Sequence, residues 1–232
     1  METSLHRDLK KLYAGDTAQT EVVLDKFRID AVCGELLIEI QHGSLSAIRD
    51  KIRRLLLSHQ VLVVKPIVAR KTLIKQQSAE GKVLSRRMSP KRGTLLDIFE
   101  ELVYFTRVFP HPGLTLEIVL VEVEEWRYPG HGRRRRWRRN DQVVADQKLL
   151  SVGQSIRLRD AADLMRLLPE GLPKQFHTGH LAEQLGIRRT LAQRIAYCLR
   201  EMKTVEQVGK QGNSLLYQLA KPKRRRRKRE AA

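Results

Sequence analysis

The sequence contains few cysteines and no long uncharged apolar segment. Its two cysteines, Cys33 and Cys198, lie far apart, so the chain carries neither a disulfide framework nor the paired spacing of a zinc site. No run of about 18 uncharged apolar residues, the minimum for a membrane-spanning helix, occurs, and the N-terminus lacks the apolar core of a signal peptide. These absences predict a protein of the reducing cytoplasm without a membrane partner.

Acidic residues are also in the minority. The 232 residues include 45 Lys and Arg against 26 Asp and Glu, which gives a formal charge of +19. Six arginines in residues 133–139, and eight Lys and Arg against one glutamate in residues 221–230, account for +6 and +7 of this excess and leave +6 elsewhere. Such runs neutralise phosphates without reading sequence. They predict a nucleic-acid partner, which is DNA by preference and RNA as the alternative.

Two apolar, strand-like runs near the N-terminus predict a hairpin. They span residues 27–32 and 35–41, and Gly34 lies between them. A glycine between two such runs is typical of a tight turn. Side chains alternate between the faces of a strand, so the polar residues of both runs are expected to share one face.

Each of these two strands carries a carboxylate among apolar residues. The expected pairing places Asp30 opposite Leu37 and diagonal to Glu39. Burying a carboxylate without a partner is costly. The pair therefore predicts either a divalent metal site or a salt bridge, with Arg28 as the obvious partner of Glu39.

The remaining N-terminal pattern predicts an α/β domain over residues 1–127. Residues 128–159 are either an Arg-rich linker or a hairpin extension of the sheet. The elements that carry the prediction are a helix at residues 3–14, a basic amphipathic helix after Ser44, a buried strand at 61–68, a loop at 76–93, a helix capped by Thr94 and a strand from Leu114.

Residues 160–220 predict a winged helix-turn-helix. A helix at residues 161–168 precedes two helices that flank Gly186, the first of which is capped by Thr178. Two alternating strands follow around a Gly-rich tip. The early part of the second helix would enter a major groove and the wing would add a contact, unless the unit binds another protein. Residues 221–232 read as a basic disordered tail. The predicted nucleic-acid contacts are Arg188, Arg189, Gln193, Arg194, Lys210, Arg133, Arg134, Arg135, Arg136, Arg224, Arg225, Arg226 and Arg227.

The order of Glu21, Asp30 and the triplet Glu39-Ile40-Gln41, followed by a basic amphipathic helix, resembles the core of the PD-(D/E)XK nuclease superfamily. The resemblance implies a restriction-endonuclease-like mixed sheet with flanking helices. It also implies that Asp30 and Glu39 bind Mg²⁺ or Mn²⁺ with help from the carbonyl of Ile40, and that Glu21 is the upstream acid. Gln41 stands where the superfamily has lysine, and glutamine brings no cation.

These patterns together predict a metal-dependent endonuclease that a winged helix delivers to DNA on the nucleoid. The alternative is a non-catalytic DNA-binding or regulatory protein whose nuclease-like domain lost activity at Gln41. Lys65 or Lys71, beyond the next strand, is a candidate for the missing positive charge, and His42 for a proton acceptor. Cleavage of both DNA strands would need a homodimer or two successive events.

Overall fold

A seven-stranded mixed sheet forms the centre of the molecule. The computed structural model describes residues 3–15, 18–130 and 142–220. The strands of the sheet are β1 (Gln19–Leu24), β2 (Phe27–Cys33), β3 (Leu36–Ile40), β4 (Gln60–Gln76), β5 (Val83–Met88), β6 (Leu114–Pro129) and β7 (Gln142–Leu158). Their order is β1-β2-β3-β4-β6-β7, and β5 pairs with the second half of β4. Strands β3, β4 and β6 run parallel, and the other neighbours are antiparallel.

Helices cover both faces of this sheet. The fully buried Leu5 and Leu9 of the first helix pack against apolar residues of β3, β4 and β6 on one face. On the other face, Ile52 and Phe99 belong to a larger core. A mixed sheet with flanking helices was predicted and is present. The helices are α1 (Ser4–Ala14), α2 (Arg49–Leu55) and α3 (Phe99–Leu102), and 3-10 turns at Leu45–Ile48 and Leu95–Ile98 precede α2 and α3.

Strands β6 and β7 form a long antiparallel ladder on either side of residues 130–141. Their pairing extends from Leu116 opposite Leu158 to Pro129 opposite Gln142. Residues 142–158 are thus a strand of the main sheet, which corresponds to the hairpin alternative and leaves no interdomain linker in that stretch. Residues 119–129 of β6 lie past the end of β3 and include the charged residues Glu122, Glu124, Glu125 and Arg127.

The segment 76–93, expected to be a loop, contains strand β5. It pairs with β4 from Met88 opposite Thr72 to Val83 opposite Gln76. All six residues of β5 are exposed. Its sequence, VLSRRM, does not alternate between apolar and polar residues, which is the pattern by which a half-buried strand is recognised. Backbone pairing with β4, rather than burial of side chains, holds this strand.

The C-terminal residues form a small unit of helices and a hairpin. Gly186 ends α4 in the left-handed conformation, with φ of 61°, as its position after the apolar run predicts. Phe176 forms an isolated bridge with Tyr217 of the hairpin. The predicted helix at 161–168 is a 3-10 turn instead. The elements are the 3-10 turn Ala162–Leu167, α4 (Thr178–Leu185), α5 (Arg189–Glu201), β8 (Val205–Gln211) and β9 (Ser214–Leu219).

The C-terminal unit and the sheet share one apolar core. Phe99 and Phe105, beside the sheet, belong to the same buried cluster as Phe176, Leu191 and Ile195 of the C-terminal unit. Helix α5 packs directly against α3. In the part of the chain that the structure describes, no helix is both long and apolar enough to cross a membrane.

Candidate functional site

Three carboxylates lie level on three neighbouring strands. In the β1–β2 ladder, Thr20 opposes Ala31 and Val22 opposes Ile29, which puts Glu21 level with Asp30. In the β2–β3 ladder, Ala31 opposes Ile38, so one further step puts Asp30 level with Glu39. We call Glu21, Asp30 and Glu39 the carboxylate row.

The register of the hairpin differs from the expected one by two residues. Leu37 opposes Val32 and not Asp30, because Cys33 pairs with Leu36 across a two-residue turn. Gly34 occupies this turn with φ of 58°, a conformation in which glycine carries no steric penalty. In the observed register, Asp30 and Glu39 are level with each other and not diagonal.

Asp30 is held by the backbone of β3 and by α1. The N–H of Ile40 donates to Oδ2 at 2.7 Å, and His6 Nε2 lies 3.1 Å from Oδ1. Burial raises the pKa of Asp30, but the hydrogen bonds from His6 and Ile40, with the charges of His6 and Lys51, outweigh it and leave the pKa below its ordinary value. Asp30 is therefore ionised at neutral pH.

Glu39 is almost fully buried and is paired with a lysine of α2. Lys51 Nζ donates to both carboxylate oxygens, at 2.6 and 2.7 Å. Burial raises the pKa of Glu39, and the neighbouring Asp30 adds to this, whereas Lys51 acts in the opposite direction. The expected salt bridge exists, but its cation is Lys51 and not Arg28. The ammonium of Lys51 also donates to the carbonyl of Arg28 and so ties α2 to β2.

Glu21 is the most exposed member of the carboxylate row. Its side chain is bound by Lys10 of α1 and by Arg28 of β2. The hydrogen bond from Lys10 is the largest influence on its pKa and, together with Arg28, keeps it below the ordinary value. The backbone of Glu21 has a positive φ of 59°, which is uncommon for residues other than glycine.

Gln41 is engaged in the loop that follows β3. Its side-chain amide donates to the carbonyl of Ser44 at 2.8 Å, and its backbone N–H continues the ladder to Val64. Glu101 of α3 closes the same loop by accepting from Ser44 Oγ at 2.8 Å and from the N–H of Leu45 at 3.0 Å. The amide of Gln41 thus fixes the loop and does not point its donors at Glu39.

His42 and Lys65 lie beyond this loop. The buried ammonium of Lys65 donates to the carbonyls of His42 and Gly43. Burial lowers the pKa of His42, and the charges of Lys65 and Lys71 lower it further. The imidazole is therefore neutral at neutral pH. Lys71 itself is bound to Glu125 and lies away from the carboxylate row.

The predicted contact residues of α5 fall into two groups. Arg189 and Gln193 are exposed, and Arg189 Nη2 donates to Ser214 Oγ of the hairpin at 3.1 Å. Arg188 and Arg194, by contrast, lie 3.9 and 3.3 Å from Glu100 of α3. The exposed stripe of this helix thus contains Arg189 and Gln193 and lies on the side away from α3.

The remaining predicted contacts are on the hairpin and in the two arginine runs. Lys210 is on β8, next to the turn at Gly212, and its side chain is exposed. Arg133, Arg134, Arg135 and Arg136 lie outside the described residues, as do Arg224, Arg225, Arg226 and Arg227.

Comparison with known proteins places the sheet unit in a family. Residues 3–159, which contain α1 to β7 and the whole carboxylate row, match the family described as "Domain of unknown function (DUF8091)". The chain belongs to this family. The chain is also similar to an uncharacterized protein of Treponema pallidum (strain Nichols), with 31% identity over 183 residues, which are 78% of this chain and 72% of the relative. No solved structure matches the chain.

The similarity to the Treponema protein extends past the DUF8091 match. An alignment over 78% of a 232-residue chain is longer than the 159 residues that precede the C-terminal unit. Part of the helical C-terminal unit therefore has a counterpart in that relative. Parts of the sheet unit and of the C-terminal unit therefore occur together in both proteins.

The oxygen ligands of the carboxylate row suit a hard divalent cation. Mg²⁺ is usually bound by one or two carboxylates with water completing the shell. Asp30 and Glu39 supply two carboxylates from the residues just past the last pair of the β2–β3 ladder, Ala31 and Ile38. Within the described ranges, no group of three or more His, Cys, Asp or Glu side chains converges on one point. A metal site here would therefore depend on Asp30 and Glu39 with backbone and water oxygens.

Four side chains near these sites were not predicted from the sequence. His6 and Lys10, four residues apart on α1, contact Asp30 and Glu21, and helical spacing alone could have placed them on one face. Lys51 looked like one of several solvated lysines and arginines of α2. Tyr197 extends the exposed stripe of α5, four residues after Gln193.

Proposed function

We propose that this protein is a metal-dependent nuclease that binds DNA through a C-terminal winged helix-turn-helix. The observation that carries the proposal is the level placement of Glu21, Asp30 and Glu39 on three neighbouring strands, with Lys51 at Glu39. Glu21, Asp30 and Glu39 lie on β1, β2 and β3, and the basic helix α2 follows before β4, which is parallel to β3. This arrangement supports the proposed membership of the PD-(D/E)XK superfamily.

In this proposal Asp30, Glu39 and the carbonyl of Ile40 hold Mg²⁺ or Mn²⁺. The bound ion supplies Lewis-acid stabilisation of the phosphoryl oxygens and a water of lowered pKa. His6 is a positioning residue, because its contact with Asp30 Oδ1 fixes the orientation of that carboxylate. Lys51 provides, next to Glu39, the cation that Gln41 cannot provide.

The C-terminal unit would dock the nuclease on DNA. Its helix pair around Gly186, the following hairpin and the bridge from Phe176 to Tyr217 are the parts of a winged helix. Arg189 and Gln193 present donors that suit a major groove, and Lys210 suits a phosphate beside the hairpin. The excess of positive charge supports nucleic acid as partner. A cytoplasmic, nucleoid-associated location belongs to the same proposal, as does cleavage of both strands by a homodimer or by successive events.

A second candidate is a non-catalytic DNA-binding protein. The observation that favours it is the pairing of each carboxylate with protein donors: Lys51 binds both oxygens of Glu39, and His6 and the N–H of Ile40 occupy those of Asp30. In that case the row stabilises the sheet, and the winged helix carries the function.

Nicking of supercoiled plasmid in Mg²⁺ or Mn²⁺ tests both candidates. The nuclease predicts nicked or linear product from the wild type and loss of product in Asp30→Asn and Glu39→Gln. Glu117→Gln is the matched control, because Glu117 is an equally buried, arginine-paired carboxylate of β6 outside the row. Plasmid that stays supercoiled with the folded, DNA-binding wild type would leave the non-catalytic candidate.

A further inference from the structure

A basic loop, residues 89–93, is fastened to the edge of β4. The N–H of Ser89 donates to the carbonyl of Lys71 at 2.8 Å, and the N–H of Gly93 donates to that of Ala69 at 3.4 Å. A Cβ on Gly93 would lie 2.4 Å from the carbonyl oxygen of Val68, so only glycine permits this approach. The loop is thereby fixed while its Lys91 and Arg92 remain exposed.

This basic loop forms one wall of a cavity of about 810 Å³ between the sheet and the C-terminal unit. We call this cavity the basic cleft. Arg188, before α5, and acidic residues of α3 form the opposite wall. Six cationic side chains line it against three acidic ones, Asp97, Glu100 and Glu101. The cationic set is Lys65, Lys71, Lys91, Arg92, Arg127 and Arg188.

Three of the six cations lack a carboxylate partner among the described residues. Lys71 and Arg127 share Glu125, and Arg188 approaches Glu100. Lys91 and Arg92 make no ion pair within the described ranges, and Lys65 has only carbonyl partners there although it is 5% exposed. The charge of Glu101 acts on the buried Lys65, but no carboxylate contacts its ammonium directly, and burial of such a group is costly. An anion in the basic cleft would offset this cost.

The size of the basic cleft selects one strand over two. Its volume falls in the range of about 300–1,000 Å³ that small-ligand sites occupy. A bound duplex buries about 1,000–2,500 Å² of protein surface, which a cavity of this volume does not offer. Apart from His42, the lining contains no aromatic ring on which a base could stack. Phosphates, and not bases, are the groups that this lining would bind.

The basic cleft adjoins the loop that follows β3. His42 lines the cleft and lies in this loop, three residues after Glu39. Lys65 of the cleft donates to the carbonyls of His42 and Gly43 and so joins β4 to the same loop. A strand in the cleft would therefore pass close to the row.

We infer that the basic cleft binds a single, unpaired nucleic-acid strand by its phosphates and leads it to the carboxylate row. The inference rests on the proposed function, since it takes nucleic acid as the partner, and it specifies the substrate as a duplex with a single-stranded extension. The winged helix would hold the duplex, while Lys65, Lys91 and Arg92 would hold the unpaired strand.

Fluorescence anisotropy of the full chain in chelator tests this without cleavage. The probes are a blunt duplex and the same duplex with a tail of about 10 nucleotides, within the usual single-strand site sizes of 4–16. The variant is Lys91→Ala/Arg92→Ala. Its matched control is Arg53→Ala/Arg54→Ala, which removes the same charge from the exposed side of α2 and leaves the lining intact.

The expected result is tighter binding of the tailed duplex by the wild type. The Lys91→Ala/Arg92→Ala variant should bind the tailed duplex about tenfold more weakly and the blunt duplex unchanged. Two lost single-strand phosphate contacts should also reduce the salt slope on the tailed probe by about 1.4. The Arg53→Ala/Arg54→Ala control should match the wild type in its preference for the tail. Probes with DNA tails and with RNA tails then show which nucleic acid supplies the strand. Weaker binding of either tailed probe by the Lys91→Ala/Arg92→Ala variant, with the blunt duplex unchanged, supports the basic cleft.

Equal weakening on both probes, or no weakening on either, would overturn the inference. A wild type that binds neither probe would overturn nucleic-acid binding as a whole. If plasmid stays intact in Mg²⁺ while the tail is still bound through Lys91 and Arg92, the catalytic proposal fails and the basic cleft stands. The two failures are therefore distinguishable.

Discussion

At the scale of single residues, the ion pair of Lys51 and Glu39 dominates the candidate site. Their side chains are only 16% and 9% exposed, so the attraction between the two charges offsets the free energy that each loses by leaving water. Removing one member leaves an uncompensated charge, which typically costs about 3–5 kcal/mol. The pair should therefore be sensitive to loss of one partner and tolerant to loss of both.

We expect Lys51→Met to lower the free energy of unfolding by about 3 kcal/mol. Urea denaturation followed by circular dichroism gives this value. The double variant Glu39→Gln/Lys51→Met removes both charges and should recover most of the loss, which a double-mutant cycle quantifies. A Lys51→Met protein within 0.5 kcal/mol of the wild type would contradict burial of the pair.

Asp30 should contribute to acid denaturation. Its pKa lies below the ordinary 3.8, so the unfolded chain takes up the proton first as the pH falls. The stabilisation from ionised Asp30 is complete above about pH 3.8 and is lost below it. Urea titrations between pH 2 and 6 should give a shallower acid decline for Asp30→Asn than for the wild type. Parallel curves would show that Asp30 has the same pKa in both states.

The sequence was sufficient to find the carboxylates and insufficient to find their partners. Asp30 and Glu39 interrupt apolar runs, so a local pattern marks them as unusual. Lys51 is one of four Lys and Arg residues in seven positions of α2, and no local pattern tells which of them turns inward. That depends on where α2 crosses the sheet, which is a long-range property.

At the scale of elements, the close approach of the basic loop to β4 depends on one glycine. Any Cβ at Gly93 would overlap the backbone of Val68, which cannot move without disturbing the β4–β6 ladder. We expect Gly93→Ala to destabilise the fold by about 1–3 kcal/mol. Gly209→Ala, where a Cβ meets nothing within 4 Å, is the control and should change stability little. Equal thermal stability of the two variants would show that the loop is not held against β4.

Helix α4 begins with an unusual cap. His177 Nδ1 accepts from the N–H groups of Gly179 and His180 at 3.0 and 3.2 Å, and the sequence had suggested Thr178 in this role. We expect His177→Ala to cost about 1 kcal/mol and His177→Asp, which restores an acceptor, to retain wild-type stability. Thermal unfolding of the three proteins measures this. If alanine and aspartate behave alike, the hydrogen bonds of the cap contribute nothing measurable.

At the scale of the whole molecule, the two units behave as one body. A sequence can predict each unit from its own periodicity, yet their mutual docking arises from apolar faces that meet only in three dimensions. The contacts of Arg188 and Arg194 with Glu100 illustrate this, because both arginines looked like free groove contacts until α5 was placed against α3. The docking also brings Arg188 of the C-terminal unit to the lining of the basic cleft.

The shared core predicts a single cooperative unfolding transition. In a Trp137→Phe background, tryptophan fluorescence reports on the sheet through Trp126 of β6. Cys198 reports on α5, because its thiol is fully buried, and burial raises its pKa to about 12. In a Cys33→Ser background, which removes the exposed thiol, labelling of Cys198 in urea should have the same midpoint as the fluorescence change. Labelling at clearly lower urea would mean that the C-terminal unit opens by itself, and the walls of the basic cleft would then separate before the sheet unfolds.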